Sequence, residues 1–573
     1  MTKISIPSIE ALTAWREIDP RAYRSVYLLL FGVASGRFDA GFNERLEEAL
    51  VRLTGAESDL FVSRPHAQSP SLSQFAELID ELKHAIIQYG EMKVLERGLL
   101  QMPSADSREE WLFPDQICQS ISAWKTESAQ ALVFDNSLDS LPFYLAAEGK
   151  ETVVFGVSSA TKIYWDLAGK ATGLPLCGVA CGYEKVCTFL EKMSAEADSY
   201  LLGPFGYDIR SPGETGRQDA QAFLLSLLLP RMKGRIAVMS APSLVFAGLR
   251  GFLELRRTLV ESKRLHSVAS FPGNMLEWSG IPMVGLFIGA TSENINAIRF
   301  ADFSDEIFHA QSSRRRRRVF NERGLVAIDA LLTMQQTEMP VAEASTKRLL
   351  ADPTVCLAPK NYLLEITGGN DLKKLEKFPL KLSDIAEVIR PMLRRTSESG
   401  IPVREIGASD ITAFGRIVEP REEVFIEEGK VSEAFKRTIL RRNDIVFCVK
   451  GSVARCGLVV DEPLEAWTIG QMCVGIRLKP DAPISAVALW RYLRTESFIK
   501  YLKKVVPALG MQARIVFMSA KDVENFPVPK LSAEQLAREE AIFKEQEQHL
   551  QKINELEKVV AKAEPKEMPA DWQ

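Results

Sequence analysis

Three places in this chain of 573 residues combine residue types and spacing that could do chemistry. The first follows the apolar run ALVF at 131–134 and reads Asp135-Asn136-Ser137-Leu138-Asp139-Ser140-Leu141-Pro142. Carboxylates just past a buried strand can hold the ribose or amine of a cofactor. A glycine-rich turn would let that cofactor approach the backbone, and this turn has no glycine. The second place follows SYLL at 199–202 and reads Leu202-Gly203-Pro204-Phe205-Gly206. An aromatic such as Phe205 could stack on a base swung out of a helix. Leu202, however, can accept no hydrogen bond from that base. The third place is basic: Arg441, Arg442, Lys450 and Arg455 border a short apolar run, and Gln512 and Arg514 lie further on. Arginine pairs bidentately with guanine, glutamine with adenine, and lysine neutralises phosphate. Any one of these residues alone would be an ordinary surface charge.

These residues need elements to position them. Apolar residues recur at three-and-four spacing through 42–51 and 75–87, which predicts helices. The Pro/Ser-rich stretch RPHAQSPSLS at 64–73 separates the two. From about 130 to 300 the texture changes to short apolar strands divided by helices. ALVF, TVVFGV (152–157), SYLLG (199–203), RIAVMSA (235–241), LHSVASF (265–271) and MVGLFIG (283–289) are the strands. Such alternation predicts a mostly parallel sheet covered on both faces, with ligands at the carboxyl ends of its strands. The five arginines 314–318 follow, either a phosphate-contacting arm or a solvated loop. Between 380 and 530 the strands are shorter and bounded by Gly, Pro, Asn or Asp. Residues 532–561 predict one long helix, with Leu536, Phe543 and Leu550 at seven-residue spacing and Ile553 and Val560 continuing the seam. Its partner helix could belong to this chain or to another. The organisation read from these patterns is 1–105 helical, 106–370 α/β, 371–530 β-rich, and 531–573 a long helix with a tail.

Composition excludes several classes. The hydrophobic fraction of 46% and charged fraction of 25% are those of an ordinary globular protein. No apolar run approaches the ~18–20 residues that span a bilayer, and the first residues show no secretory pattern, so a cytoplasmic location is expected. Eight scattered cysteines make no disulfide framework. Cys177, Cys181 and Cys187 lack a second ligand pair and a nearby histidine, so they read as structural thiols and no metal is expected. The net charge is −4, yet residues 373–530 hold 27 basic against 20 acidic residues, which marks the C-terminal half as the side facing nucleic acid.

Two resemblances sharpen this reading. Asp219-Ala220-Gln221-Ala222-Phe223-Leu224, then LPRMKGRIAVMSAPSLVFAG and RRTLVESKRLHSVASFPGNMLEWSGIPMVGLFI, resemble in order the modification subunit of type I restriction–modification systems. Phe113-Pro114 followed by QICQSI resembles a weakened form of that family's upstream cofactor motif. The resemblance implies a Rossmann-like S-adenosylmethionine (SAM) methyltransferase fold acting on adenine N6. It also implies that Phe113, Pro114, Asp135, Asn136 and Asp139 mark the SAM site, and Leu202, Gly203, Pro204 and Phe205 the catalytic motif. Both motifs are degenerate here. Where the family has Asp-Pro-Ala-Cys-Gly-x-Gly-Gly, only the acid Asp135 survives, and where it has Asn-Pro-Pro-Phe-Gly, the asparagine is Leu202.

The second resemblance runs from LSDIAEVIR at 382–390 through ILRRNDIVFCVKGSVARCGLV at 439–459 to FMSAKDVENFPVPKLSAEQ at 517–535. It is similar to a target recognition domain of a type I specificity subunit, with the helix at 532–561 in the place of the spacer helix. Asn443 stands for the first glycine of that family's strand-turn-strand motif. The resemblance implies contact with double-stranded DNA through Arg441, Arg442, Lys450, Arg455, Gln512 and Arg514. It also implies association with a second copy or with other restriction or defence subunits through the terminal helix. Only one recognition domain is present, where a specificity subunit usually has two. The expected function is DNA recognition and partner assembly by an inactive methyltransferase-like scaffold that needs no cofactor. The alternative is an active adenine-N6 methyltransferase with divergent motifs that uses SAM, and a third reading is a purely structural assembly protein.

Overall fold

A computed structural model describes residues 20–38, 76–89, 94 and 115–563. Within the last range, 136–139, 157–158, 181, 183–184, 204–208, 211–216, 277–280, 312–317, 336–338, 368–373, 392–399, 421, 427–432, 452 and 507–517 are excepted. The chain divides into two compact units, Met1–Leu363 and Leu364–Gln573.

The first unit is built on one nine-stranded sheet. Its strands in chain order are β1 (Gln130–Asp135), β2 (Glu151–Gly156), β3 (Leu176–Ala180), β4 (Asp198–Leu202), then a two-residue hairpin, β5 (Ile209–Arg210) and β6 (Arg217–Gln218), outside the sheet. They continue as β7 (Ile236–Ser240), β8 (Leu265–Phe271), β9 (Met283–Ile288) and β10 (Ala297–Asp302), a second small hairpin of β11 (His309–Gln311) and β12 (Arg318–Phe320), and β13 (Ala342–Ser345). The order across the sheet is β3-β2-β1-β4-β7-β9-β8-β10-β13. All neighbours pair in parallel except β9 with its two flanks and β13 with β10. Strands β4, β7, β8 and β9 are buried at every residue, as expected where helices cover both faces. Those helices include Ser159–Thr172 after β2, Ala220–Arg231 after β6 and Arg250–Glu261 after β7.

This is a Rossmann-like, doubly wound sheet with an antiparallel strand, β9, inserted between β7 and β8. From β1 the chain moves to β2 and β3 on one side, then returns to β4 on the other. The connections leaving β1 and β4 therefore diverge, and the crevice for a ligand forms at their carboxyl ends. Helix Pro20–Ala34 buries Tyr27, Leu28, Leu29, Leu30 and Phe31 in the same apolar cluster as Trp165 and Ala168 of helix Ser159–Thr172. The described N-terminal helices thus belong to the compact unit of the sheet. The segment after β7 is fixed by a buried arginine. Arg256 donates to the carbonyls of Leu244, Ala247, Thr354 and Val355.

The second unit has two larger sheets. Its strands are β14 (Leu380–Lys381), β15 (Ala386–Ile389), β16 (Ile401–Ile406), β17 (Glu422–Ile426), β18 (Ile445–Cys448), β19 (Cys456–Leu458), β20 (Trp467–Ile469), β21 (Cys473–Leu478) and β22 (Pro527–Val528). One sheet has the order β15-β21-β18-β19 and is antiparallel throughout. The other has the order β17-β16-β20, and β14 pairs with β22. The long helix Ala533–Ala563 packs on helix Ala486–Leu493 of the same unit, with Phe543 edge-on to Trp490. Glu540 there accepts from Ser485, and Glu547 pairs with Arg416 at 3.1 Å. Leu536, Phe543 and Leu550 are half-buried, whereas Ile553 and Leu556 are exposed. The partner of the first half of the seam is therefore in this chain. Among the described residues, no helix is long and apolar enough to cross a membrane.

Candidate functional site

The two sequence motifs of the first unit meet. Asp135, the last residue of β1, pairs in register with Leu202, the last residue of β4. Leu202 in turn pairs with Met239 of β7. The ends of β1 and β4 lie where the strand order reverses, the place at which an α/β sheet of this kind binds its ligand.

What stands there is apolar. The Leu202 side chain is 1% exposed and belongs to the main core cluster of the unit, together with Leu141. Gly203 follows, and its amide donates to the Met239 carbonyl at 3.0 Å. A Cβ on Gly203 would overlap the end of the Gln221 side chain, so a larger residue there would have to displace that carboxamide. The sequence reading did not assign Gln221 a role. Its buried carboxamide fills the space beside Gly203 and donates to the Met239 carbonyl at 2.6 Å. Gln221 is held in the first turn of helix Ala220–Arg231, where Asp219 caps the helix by accepting from the Ala222 amide. Burial pushes the Asp219 carboxyl above its ordinary value. The clue was available: Gln221 is a polar residue in an otherwise apolar run. One polar atom at this edge lacks a partner among the described residues, the buried Oγ of Ser140 at the start of helix Leu141–Ala147.

Several predicted residues fall outside the described ones: Phe113, Pro114, Asn136, Asp139, Pro204 and Phe205, and with them Leu138. For Asp135 only the backbone is described. Of the cysteine trio, Cys177 is exposed, Cys187 is half-buried and Cys181 is outside the described residues. No group of three or more His, Cys, Asp or Glu side chains among the described residues could hold a metal. The arginine run springs from the hairpin of β11 and β12, in which Gln311 pairs with Arg318. Arg318 is half-buried, and its amide donates to the carbonyl of Asn274, while arginines 314–317 are outside the described residues.

In the second unit the predicted basic residues form two groups. Arg441 and Arg442 are exposed in the turn entering β18, and Lys450 and Arg455 lie at the other end of the strand, in the turn leading to β19. Gln512 and Arg514 are outside the described residues. Both turns are held by backbone that strains ordinary residues. Asn443 has φ +73° and Ala454 has φ +72°, the left-handed region that favours glycine and tolerates asparagine. The first turn is pinned by Asp444, a residue the sequence reading did not assign a role. Its carboxylate accepts from the Arg441 amide at 2.8 Å and from Arg477 of β21 at 2.6 and 2.9 Å. The hydrogen bonds to Asp444 raise the Arg477 pKa above its ordinary value. Arg441 and Arg442 are therefore presented on a rigid turn with their side chains free of that network. Such an arrangement can meet phosphates or the edges of bases.

Comparison with known proteins gives distant structural likeness alone. No family model matches the chain, and no curated protein matches it. Among solved structures, the type IIG restriction endonuclease BpuSI is similar at 11% identity and a TM-score of 0.45, over 89% of this chain and 70% of that one. The methyltransferase subunit of a type I restriction–modification system from Streptococcus thermophilus is similar at 14% identity and a TM-score of 0.42, over 54% of this chain and 72% of that one. The HsdS subunit from Thermoanaerobacter tengcongensis has 15% identity and a TM-score of 0.20, over 49% of this chain and 70% of that one.

Proposed function

We propose that this chain recognises double-stranded DNA in a restriction–modification-type assembly in the cytoplasm, and that its methyltransferase-like unit is a scaffold for partner subunits, not a catalyst. The observation that carries the second half is Leu202. At the place where the resembled motif has the asparagine that accepts a hydrogen bond from the base stands a leucine buried in the core. Losing an acceptor from a buried polar contact costs about 1–3 kcal/mol in binding alone, and orientation of the reacting amine is lost with it. Against SAM speak the apolar Leu202 at the end of β4 and Leu141 at the start of the helix that follows β1, both buried in the core, and the nearby Gln221 amide, which is engaged with Met239.

Support for DNA recognition comes from the two exposed arginines on the Asp444-pinned turn and from the local excess of basic residues in the second unit. The terminal helix, with Ile553 and Leu556 exposed beyond its packed half, offers a surface for a second copy or another subunit. The alternative, an active SAM-dependent adenine-N6 methyltransferase, is favoured by one observation. The unpartnered Ser140 Oγ lies at the edge where a cofactor would sit.

Fluorescence anisotropy with duplex DNA across 50–200 mM salt tests the DNA-reading half. Affinity should fall steeply with salt, and the slope of log affinity against log salt should shrink by about one for each phosphate contact removed. Arg441→Ala combined with Arg442→Ala should flatten the slope measurably. Salt-independent binding, or none, contradicts the proposal.

A further inference from the structure

Cys448 of β18 and Cys473 of β21 face each other in register, both fully buried, with their sulfur atoms 3.5 Å apart. Their backbones are not bonded to each other. The Cys448 amide donates to the Arg455 carbonyl and the Cys473 amide to that of Gly470, while the adjacent rung runs from the Val449 amide to the Met472 carbonyl. The pair thus occupies a non-hydrogen-bonded site of an antiparallel ladder, where Cα atoms approach to about 4.5 Å. A disulfide accepts Cα separations of roughly 4.4–6.8 Å. The register of the pair is therefore one that a disulfide can bridge.

We propose that Cys448 and Cys473 are a modification site, closed into a reversible disulfide by hydrogen peroxide. The third thiol nearby does not compete. Cys456 of β19 pairs with Phe447, so it lies on the face of Phe447, and Cys448, one residue on, points to the opposite face. Access is short: the pair sits one residue from Met472, which is exposed, and three from Gly451 in the exposed turn. Strand ends of this kind open locally far more readily than the whole domain. The thiol–thiol hydrogen bond lowers Cys448 from the ordinary thiol range, helped by the Arg455 guanidinium, and the same contact raises Cys473. With the Arg455 guanidinium on its side of the pair, Cys448 is the proposed attacking sulfur.

The step balances without another reagent. The Cys448 thiolate attacks one peroxide oxygen, the O–O bond breaks, and the hydroxide released is protonated to water. Cys473 then attacks the sulfur of the resulting sulfenic acid, the S–O bond breaks, and the Cys473 proton leaves with that oxygen as a second water. Two thiols are oxidised to one disulfide while the peroxide is reduced. The new bond ties β18 to β21 at the root of the turn that carries Lys450 and Arg455, and so fixes that turn.

The test is to treat the folded full chain with hydrogen peroxide, quench in acid, alkylate, and digest with trypsin. Cleavage after Arg442, Lys450, Arg455 and Arg477 places Cys448 in one peptide and Cys456 with Cys473 in another. Fragmentation of the cross-linked pair should locate the bond at Cys473. The cross-link should vanish with dithiothreitol, persist in Cys456→Ser and disappear in Cys473→Ser. Should Cys473→Ser fail to fold, the wild-type and Cys456→Ser digests decide alone. A bond to Cys456, separate oxidation of the two thiols, or a cross-link formed only in denaturant overturns the proposal.

Discussion

The carboxyl end of β4 and the hairpin of β18 and β19 both depart from the pattern of the family they resemble, with opposite consequences. At β4 the first two places of the motif have both changed: Gly203 stands where the pattern has a proline, and the missing Cβ leaves room for the Gln221 side chain. Leu202 stands at the acceptor's place in the resembled motif and joins the core. In the hairpin, charged residues remain exposed while the left-handed backbone is kept with Asn443 and, at a cost in strain, Ala454. A site that has lost its chemistry can improve its packing. A site that still makes contacts tolerates a strained turn as long as the presenting residues stay in place. On the proposed function, that difference makes the first unit a body and the second a reader.

The largest expected effect is at the anchor of the reader. Asp444→Ala leaves Arg477, half-buried in the sheet, without its carboxylate. Breaking such a pair should cost about 3–5 kcal/mol, at the lower end because Arg477 keeps some contact with solvent. Urea denaturation followed by a probe in the second unit measures it. A loss under 1 kcal/mol would mean that the turn is not held by this pair.

Acid should separate the two regions next. His266 of β8 is buried, and burial pushes its pKa down to about 4, with Glu293 opposing and Arg299 and Arg235 adding to the shift. Its neutral form is the folded one, while the unfolded chain takes up the proton near the ordinary value of ~6.5. The stabilisation is therefore complete above about pH 6.5 and lost as pH falls toward 4, by up to about 3 kcal/mol. Unfolding scans from pH 7 to 4.5 should show the first unit weakening, with the slope reduced in His266→Gln. An unchanged slope in that variant would assign the acid sensitivity elsewhere.

Leu202→Asn puts back the polar residue the family pattern has. In a core position it should destabilise the first unit by about 2–3 kcal/mol, through lost apolar burial and an amide without partners. Denaturation midpoints read the effect. If instead the variant is as stable as the wild type, the strand end has room for a polar ligand group and the scaffold reading is weakened. The smallest effect is expected at Ala454→Gly, which relieves a left-handed alanine and should stabilise the second unit by about 1 kcal/mol. Its DNA affinity should stay within twofold, because the side chains that face the solvent are unchanged.

Much of the framework was legible because it rests on local rules. The runs ALVF, TVVFGV, SYLLG, RIAVMSA, LHSVASF and MVGLFIG all became strands of one sheet, and LHSVASF did so to the residue. Strands β3, β10 and β13 were not read from the sequence. The run LCGVA of β3 is short and carries a glycine, and β13 alternates small and charged residues on a sheet edge. The meeting of Asp135 with Leu202 follows from strand order, which no local pattern encodes. For the same reason Gln221 and the bond of Asp444 to Arg477 went unassigned: each joins residues brought together by the fold, 18 apart for Gln221 and Met239 and 33 for Asp444 and Arg477. The basic residues were legible as types, but the β18 strand between them sets two groups at its two ends.

The central claim is that the edge formed by β1 and β4 has lost its cofactor chemistry. The most direct measurement is titration calorimetry of the full chain with SAM, followed by transfer of labelled methyl groups to duplex DNA containing every short adenine context. The account predicts no heat of binding at millimolar SAM and no labelled adenine. Saturable SAM binding together with methylated adenine would contradict it.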